Sequence, residues 1–222
     1  MERQKIYFKS KYFYLLISLI LFFLVNPVLT DSHLSNFILL LFFSLIMFFS
    51  VFSVSHKTLI IVTTILAFVS FLSYAYIIWV SASVMAFAVH FSSNILFLSC
   101  ISFSVIFSVA RHRTITVDTL FGAICGYLLI GFTWSFFYLL IANIDPHSFS
   151  IHIANEPIRS RVDHFIYYSF VTLATIGYGD ILALKSIART FSWFEAVVGQ
   201  IYLAVWISQL VGLRIVQLQN IK

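Results

Sequence analysis

The chain has 222 residues, of which 61% are hydrophobic and only 9% charged, and it carries a formal net charge of +5. Soluble domains hold about 45–50% apolar residues, so this composition excludes a separate water-soluble domain and, with it, most soluble enzyme classes. The basic residues stand at the ends of apolar runs rather than on one face, which is a topology signal and excludes a nucleic-acid surface.

The first apolar run extends from Tyr12 to about Leu29 and follows a basic cluster of Arg3, Lys5, Lys9 and Lys11. No small-x-small cleavage site stands near Asn26-Pro27, so the run reads as a retained span and not as a signal peptide. A second run covers Phe37 to Val54 and ends at His56-Lys57; a third covers Thr58 to Val80. The small and polar residues from Ser81 to Asn94 predict a soft connection before a fourth run, Ile95 to Ala110, which stops at Arg111-His112-Arg113. A fifth run covers Thr119 to Ile141 and a sixth Thr190 to Leu213. Each is long enough to approach the roughly 20 residues that a bilayer requires. All are expected to be helices, because a helix satisfies its own backbone in hydrocarbon. Cys100 and Cys125 both fall inside these runs, without metal-ligand spacing, and read as small packing residues.

With the N-terminus in the cytoplasm, Lys57, Arg111, Arg113 and Arg214 share the cytoplasmic side, while the first and third loops carry neither Lys nor Arg. This obeys the positive-inside rule and places both termini in the cytoplasm. The longer segment from Ala142 to Arg189 then begins and ends outside, as a re-entrant loop does. The basic N-terminal cluster could also attract anionic lipid headgroups, although plain topology anchoring is the simpler reading.

Within that loop stands Asp163-His-Phe-Ile-Tyr-Tyr-Ser-Phe-Val-Thr-Leu-Ala-Thr175-Ile-Gly-Tyr-Gly-Asp180. It resembles the pore of the potassium channel superfamily, whose signature is Thr-Val-Gly-Tyr-Gly; Ile176 replaces the commoner Val within the same β-branched class. A chance Thr-x-Gly-Tyr-Gly-Asp string would occur about once in ten thousand chains of this length. The resemblance is close from about Asp163 to Leu213, and there it also extends to bacterial six-span channels through Glu195-Ala-Val-Val-Gly-Gln-Ile-Tyr-Leu-Ala-Val. Over the first two thirds it rests on span count alone.

The resemblance implies an all-α membrane protein: six transmembrane helices, with a re-entrant pore helix and a selectivity-filter loop between helices five and six. It divides the chain into a peripheral four-helix domain, 1–113, and a pore domain, 114–222. A potassium ion enters such a filter only when backbone carbonyls from four chains replace its water. One chain supplies one filter strand, so a working pore is a homotetramer. The carbonyls of Thr175, Ile176, Gly177 and Tyr178, with the Thr175 hydroxyl at the inner end, are the expected K+ ligands, and Gly179 completes the filter. Gly177 and Gly179 remove the Cβ cost of the backbone angles that this needs. No other cofactor is expected, and the localisation implied is a bacterial inner membrane.

Around the filter the resemblance assigns support to Thr172, Tyr167, Tyr168, Asp180 and Glu195. Ile176 and Tyr178 would point into packing behind the filter, and Asp180 would hydrogen-bond to one of the two tyrosines. Asp163 suits the N-terminus of a pore helix whose C-terminal carbonyls face the membrane centre. Gly199, twenty residues after Gly179, is a candidate gating hinge or else a close-packing residue. The fourth run has no Lys or Arg between Ile95 and Ala110, so voltage dependence is expected to be weak or absent. His147, His152 and His164 in the outer loop are at most minor tuners of conduction. The readings set against a channel are a subunit of a potassium uptake transporter, which would repeat the pore unit, and a non-conducting regulatory or assembly subunit. No nucleophile motif, His/Cys cluster or phosphate-cradling loop suggests an enzyme.

Overall fold

The structure is a computed structural model and describes residues 11–28, 33–53, 57–80, 83–111, 115–151 and 156–219. Among these the protein is all-helical, with one isolated antiparallel bridge between Phe149 and Ala183. The helices are α1 (Lys11–Val25), which runs into a 3-10 turn at Asn26–Val28, α2 (His33–Ser53), α3 (Lys57–Trp79), α4 (Val84–Ala110), α5 (Val117–Ile144), α6 (Ile158–Leu173) and α7 (Ser186–Gln219). The three prolines, Pro27, Pro146 and Pro157, all lie outside the α-helices, where the missing N–H breaks no ladder.

Among the described residues, four stretches are long and apolar enough to cross a membrane: Lys57–Ile77, Val84–Ala110, Val117–Ile144 and Ser186–Gly212. The 15 residues of α1 rise only about 22 Å, against a hydrocarbon core of about 30 Å.

The helices contribute to two compact units. One comprises the described residues within 1–60, 101–128 and 201–222. Its core holds Tyr12, Leu15, Leu19, Ile101, Val105 and Cys125, all nearly inaccessible. In it, Asp118 accepts the Tyr12 backbone N–H at 3.2 Å, the Tyr202 hydroxyl donates to the Ala123 carbonyl at 2.5 Å, and Gln209 donates to the Ala110 carbonyl at 3.1 Å. The Arg111 guanidinium lies 4.0 Å over the Phe107 ring.

The other unit comprises 61–100 and 129–200 and contains α6 and the filter sequence. Its core is aromatic: Tyr138, Phe149, Phe165 and Tyr168 meet edge to face, with Phe91, Phe132 and Phe136 in a second group.

Two local expectations are corrected. Residues from Val84 to Asn94 are not a soft connection but the first turns of α4. Ser83 Oγ accepts the Ala86 N–H as an N-cap. The polar residues that made the segment look soft are satisfied by one another: Asn94 donates to the His90 carbonyl at 2.8 Å, Ser70 of α3 donates to Asn94 Oδ1 at 2.8 Å, and Ser73 lies 3.0 Å from His90 Nδ1. Likewise α6 does not start at Asp163. It starts after Pro157, the N-cap residue, whose ψ of 150° is still extended, so the first helical residue is Ile158. Asp163 therefore lies in the second turn, 4.0 Å from Arg159. Of the basic N-terminal cluster, Arg3, Lys5 and Lys9 lie outside the described residues, as do Arg113 and His152; Lys11 is exposed at the start of α1.

Candidate ion-conduction site

The site begins where α6 ends. Ala174 N–H bonds the Phe170 carbonyl at 3.0 Å, Thr175 N–H the Thr172 carbonyl at 2.9 Å, and Ile176 and Gly177 N–H both reach the Val171 carbonyl, at 2.9 and 3.4 Å. The last turn of the helix is thus closed by the chain that leaves it. In a trans peptide the C=O is antiparallel to the following N–H. Turning the Ile176 and Gly177 N–H groups toward α6 therefore directs the Thr175 and Ile176 carbonyls away from it. The same bonds qualify the expected role of the helix end, since the carbonyls of Phe170, Val171 and Thr172 already have donors.

Left-handed backbone recurs at every second residue: Thr175 at φ 56°, Gly177 at φ 61° and Gly179 at φ 78°. Alternating the sign of φ turns successive peptides so that their carbonyls face one side, instead of alternating as in a β-strand. The two glycines bear this freely. Thr175 is the one described non-glycine residue with positive φ, and a β-branched residue there is a genuine outlier. Its hydroxyl accepts a hydrogen bond from Gln200 Nε2 of α7 at 3.2 Å.

Within the single chain Ile176 and Tyr178 are 53% and 69% exposed. Tyr178 has a stacked neighbour in Tyr167, with ring centroids 6.5 Å apart. The two adjacent tyrosines of α6 take opposite duties. Tyr167 donates its hydroxyl to Asp180 Oδ2 at 2.6 Å. That bond pushes the Tyr167 phenol up to about 12 and holds the Asp180 carboxyl below its usual range, with the Ile181 and Asp180 backbone bonds acting in the same direction as the phenol on Asp180. Tyr168 faces the core, and its hydroxyl pairs with Ser192 of α7 at 2.6 Å.

Glu195 is fully buried in α7. It accepts from Tyr138 of α5 and from Ser169 of α6, each at 2.5 Å, and Ser169 also reaches the Gly131 carbonyl at 2.7 Å. One carboxyl therefore gathers three helices at the level of α6. The helix α7 is continuous through Gly199, from Ser186 to Gln219. Gly199 lies against the Leu173 carbonyl oxygen, which a Cβ would meet at 2.3 Å. Among the residues expected to lend support, Thr172 contributes through its carbonyl at the helix end. Sequence reasoning missed Tyr138, and it missed the roles of Ser169 and Gln200, although both stand inside the strings that carry the resemblance. The buried acid at Glu195 was the only signal that hydroxyl partners had to exist.

The two segments that flank α6 and residues 175–179 are clasped to each other. Ser150 N–H bonds the Leu182 carbonyl at 2.9 Å, and Leu184 N–H bonds the Ser148 carbonyl at 2.8 Å, around the Phe149–Ala183 bridge. The Ser150 hydroxyl also accepts the Leu182 N–H at 2.8 Å.

Residues 114–213, the stretch from the start of α5 through the filter sequence into α7, match a family model described as Ion_trans_2, ion channel. No curated protein and no solved structure matches the chain significantly.

Proposed function

We propose that four copies of this membrane protein form a passive, potassium-selective pore; the match of residues 114–213 to an ion-channel family model supports the reading. The observation that carries the reading is the left-handed backbone at Thr175, Gly177 and Gly179 in alternation. With the Thr175 and Ile176 carbonyls turned off α6, a strand of this geometry offers peptide oxygens in a row, and four such strands around an axis replace the hydration shell of K+. The Thr175 hydroxyl and the carbonyls of Thr175, Ile176, Gly177 and Tyr178 are the proposed ligands.

The exposure of Ile176 and Tyr178, with Ile187, Trp193 and Phe194 of α7 also exposed, supports the homotetramer, since neighbouring copies would cover these side chains. In this reading α6 and the filter form the re-entrant loop, and α1 and α2 join α3, α4, α5 and α7 as six spans. Residues 1–113 are a peripheral domain and 114–222 the pore. The membrane is a bacterial inner membrane, both termini are cytoplasmic, and anionic lipid meets Arg3, Lys5, Lys9 and Lys11.

The test is reconstitution into liposomes with an outward K+ gradient and a flux dye, with Na+ as control and Gly177→Asp as the dead reference. Flux with K+, none with Na+, and silence in Gly177→Asp is the expected pattern. A monomer in lipid, or equal passage of Na+, overturns the proposal.

A further inference from the structure

Gln200 directly follows Gly199 on α7 and donates to the Thr175 hydroxyl. Both side chains are exposed in the single chain. The contact is set by backbone: α7 passes so near the end of α6 that no Cβ fits between Gly199 and the Leu173 carbonyl, which brings the next residue within reach of the filter's first residue. The neighbouring exposed positions of α7 are apolar, Val197, Ile201 and Leu203 among them. A primary amide facing hydrocarbon would be costly. Facing a water-filled vestibule below the filter costs it nothing.

A threonine hydroxyl has one hydrogen to donate and two lone pairs to offer. With one lone pair held by the Gln200 amide, the other alone is left for a cation, and the O–H is steered away from the amide. The partial positive charge of the amide hydrogens also stands next to the place where the innermost ion would rest. We propose that Gln200 is a positioning residue that weakens the innermost cation site by engaging the Thr175 hydroxyl, so that an ion arriving from or leaving to the inside is held less tightly. The inference rests on the potassium-conduction reading and deepens it: Gln200 sets the affinity of the inner end, while the backbone carbonyls set selectivity.

The experiment uses the full chain reconstituted in planar bilayers, with Ba2+ applied from the inner side as probe. Ba2+ is close to K+ in size but doubly charged, so it occupies the same kind of oxygen site and lingers there. Replacing Gln200 by Leu frees the lone pair, and the half-blocking Ba2+ concentration is expected to fall by about fivefold, the effect of one hydrogen bond. The K+ to Na+ permeability ratio stays as in the unaltered channel, which a general loosening of the filter would not allow. Gln200→Asn keeps the amide but is one methylene short, and it gives the same shift should the Leu variant fail to assemble. In a Thr175→Val background, where the hydroxyl is gone, Gln200→Leu leaves Ba2+ block unmoved. Unchanged block in both Gln200 variants, or a shift that persists without the Thr175 hydroxyl, overturns the inference while leaving conduction intact. An unaltered channel that passes no K+ overturns the function reading, and this inference with it.

Discussion

Gly199 and Leu173 stand closer than any side chain permits: a Cβ on Gly199 would lie 2.3 Å from the Leu173 carbonyl oxygen and 2.9 Å from its Cδ1. The obstacle is backbone, which cannot rotate away. Gly199→Ala must therefore displace α7 from the end of α6, at a cost of about 1–3 kcal/mol as for other overpacked sites. Thermal dissociation of the detergent-solubilised protein is expected at a lower temperature, with K+ flux reduced. An Ala variant as stable and active as the parent would return Gly199 to a hinge role alone.

Glu195 makes a second prediction, and it turns on counting hydrogens. Ser169 has one hydroxyl hydrogen and two oxygens near it, Gly131 O and Glu195 Oε1. Gln at position 195 can donate to Ser169 and accept from Tyr138, so Glu195→Gln is expected to fold within about 1 kcal/mol of the parent. Glu195→Leu leaves the buried Tyr138 hydroxyl hydrogen without its carboxyl acceptor, at a cost of about 1–3 kcal/mol. Denaturation of the two variants side by side distinguishes a pairing role from a need for charge.

The outer end of the filter predicts the response to external acid. The Tyr167 bond holds the Asp180 carboxyl below its ordinary value, so ionised Asp180 supports the filter fully above about pH 3.9, the reference value for a free Asp. That support is lost only as pH falls through the depressed value. Flux is expected to be flat from neutral pH down to about pH 5. Tyr167→Phe removes the donor and raises the acid midpoint toward the reference. A midpoint near neutrality in the parent would contradict this.

Voltage is expected to matter little. Between Val84 and Ala110, α4 carries no Lys, Arg, Asp or Glu. One charge crossing the whole field would supply about 2.3 kcal/mol per 100 mV, and α4 has none to move. Steady-state current in symmetric K+ should follow driving force alone, and a steep sigmoidal activation curve would contradict this.

The parts of the site that could be read from sequence are those where backbone geometry dictates residue type. Gly177 and Gly179 announce their positive φ because only glycine bears it freely; Thr175 shares that conformation and announces nothing, since its Cβ argues against it. Apolar runs located the long helices but mislaid the start of α4. His90, Ser93 and Asn94 look like a break until Ser70, 24 positions away from Asn94, supplies the partner. Charge places the start of α6 at Asp163, whereas the helix begins directly after the extended Pro157. Tyr167 and Tyr168 are alike in sequence, yet a helix turns neighbours by about 100°, which sends one to Asp180 and the other to Ser192. Gln200 could not be found from sequence, because its meaning depends on how near Gly199 lets α7 approach.

The clasp between Ser148–Ser150 and Leu182–Leu184 has a mechanical consequence. It joins the chain just after α5 to the chain just before α7, short-circuiting everything between. A pull arriving along α5 has a direct route into α7 through a few peptide hydrogen bonds, and the thin strand from Thr175 to Gly179 is spared as a tether.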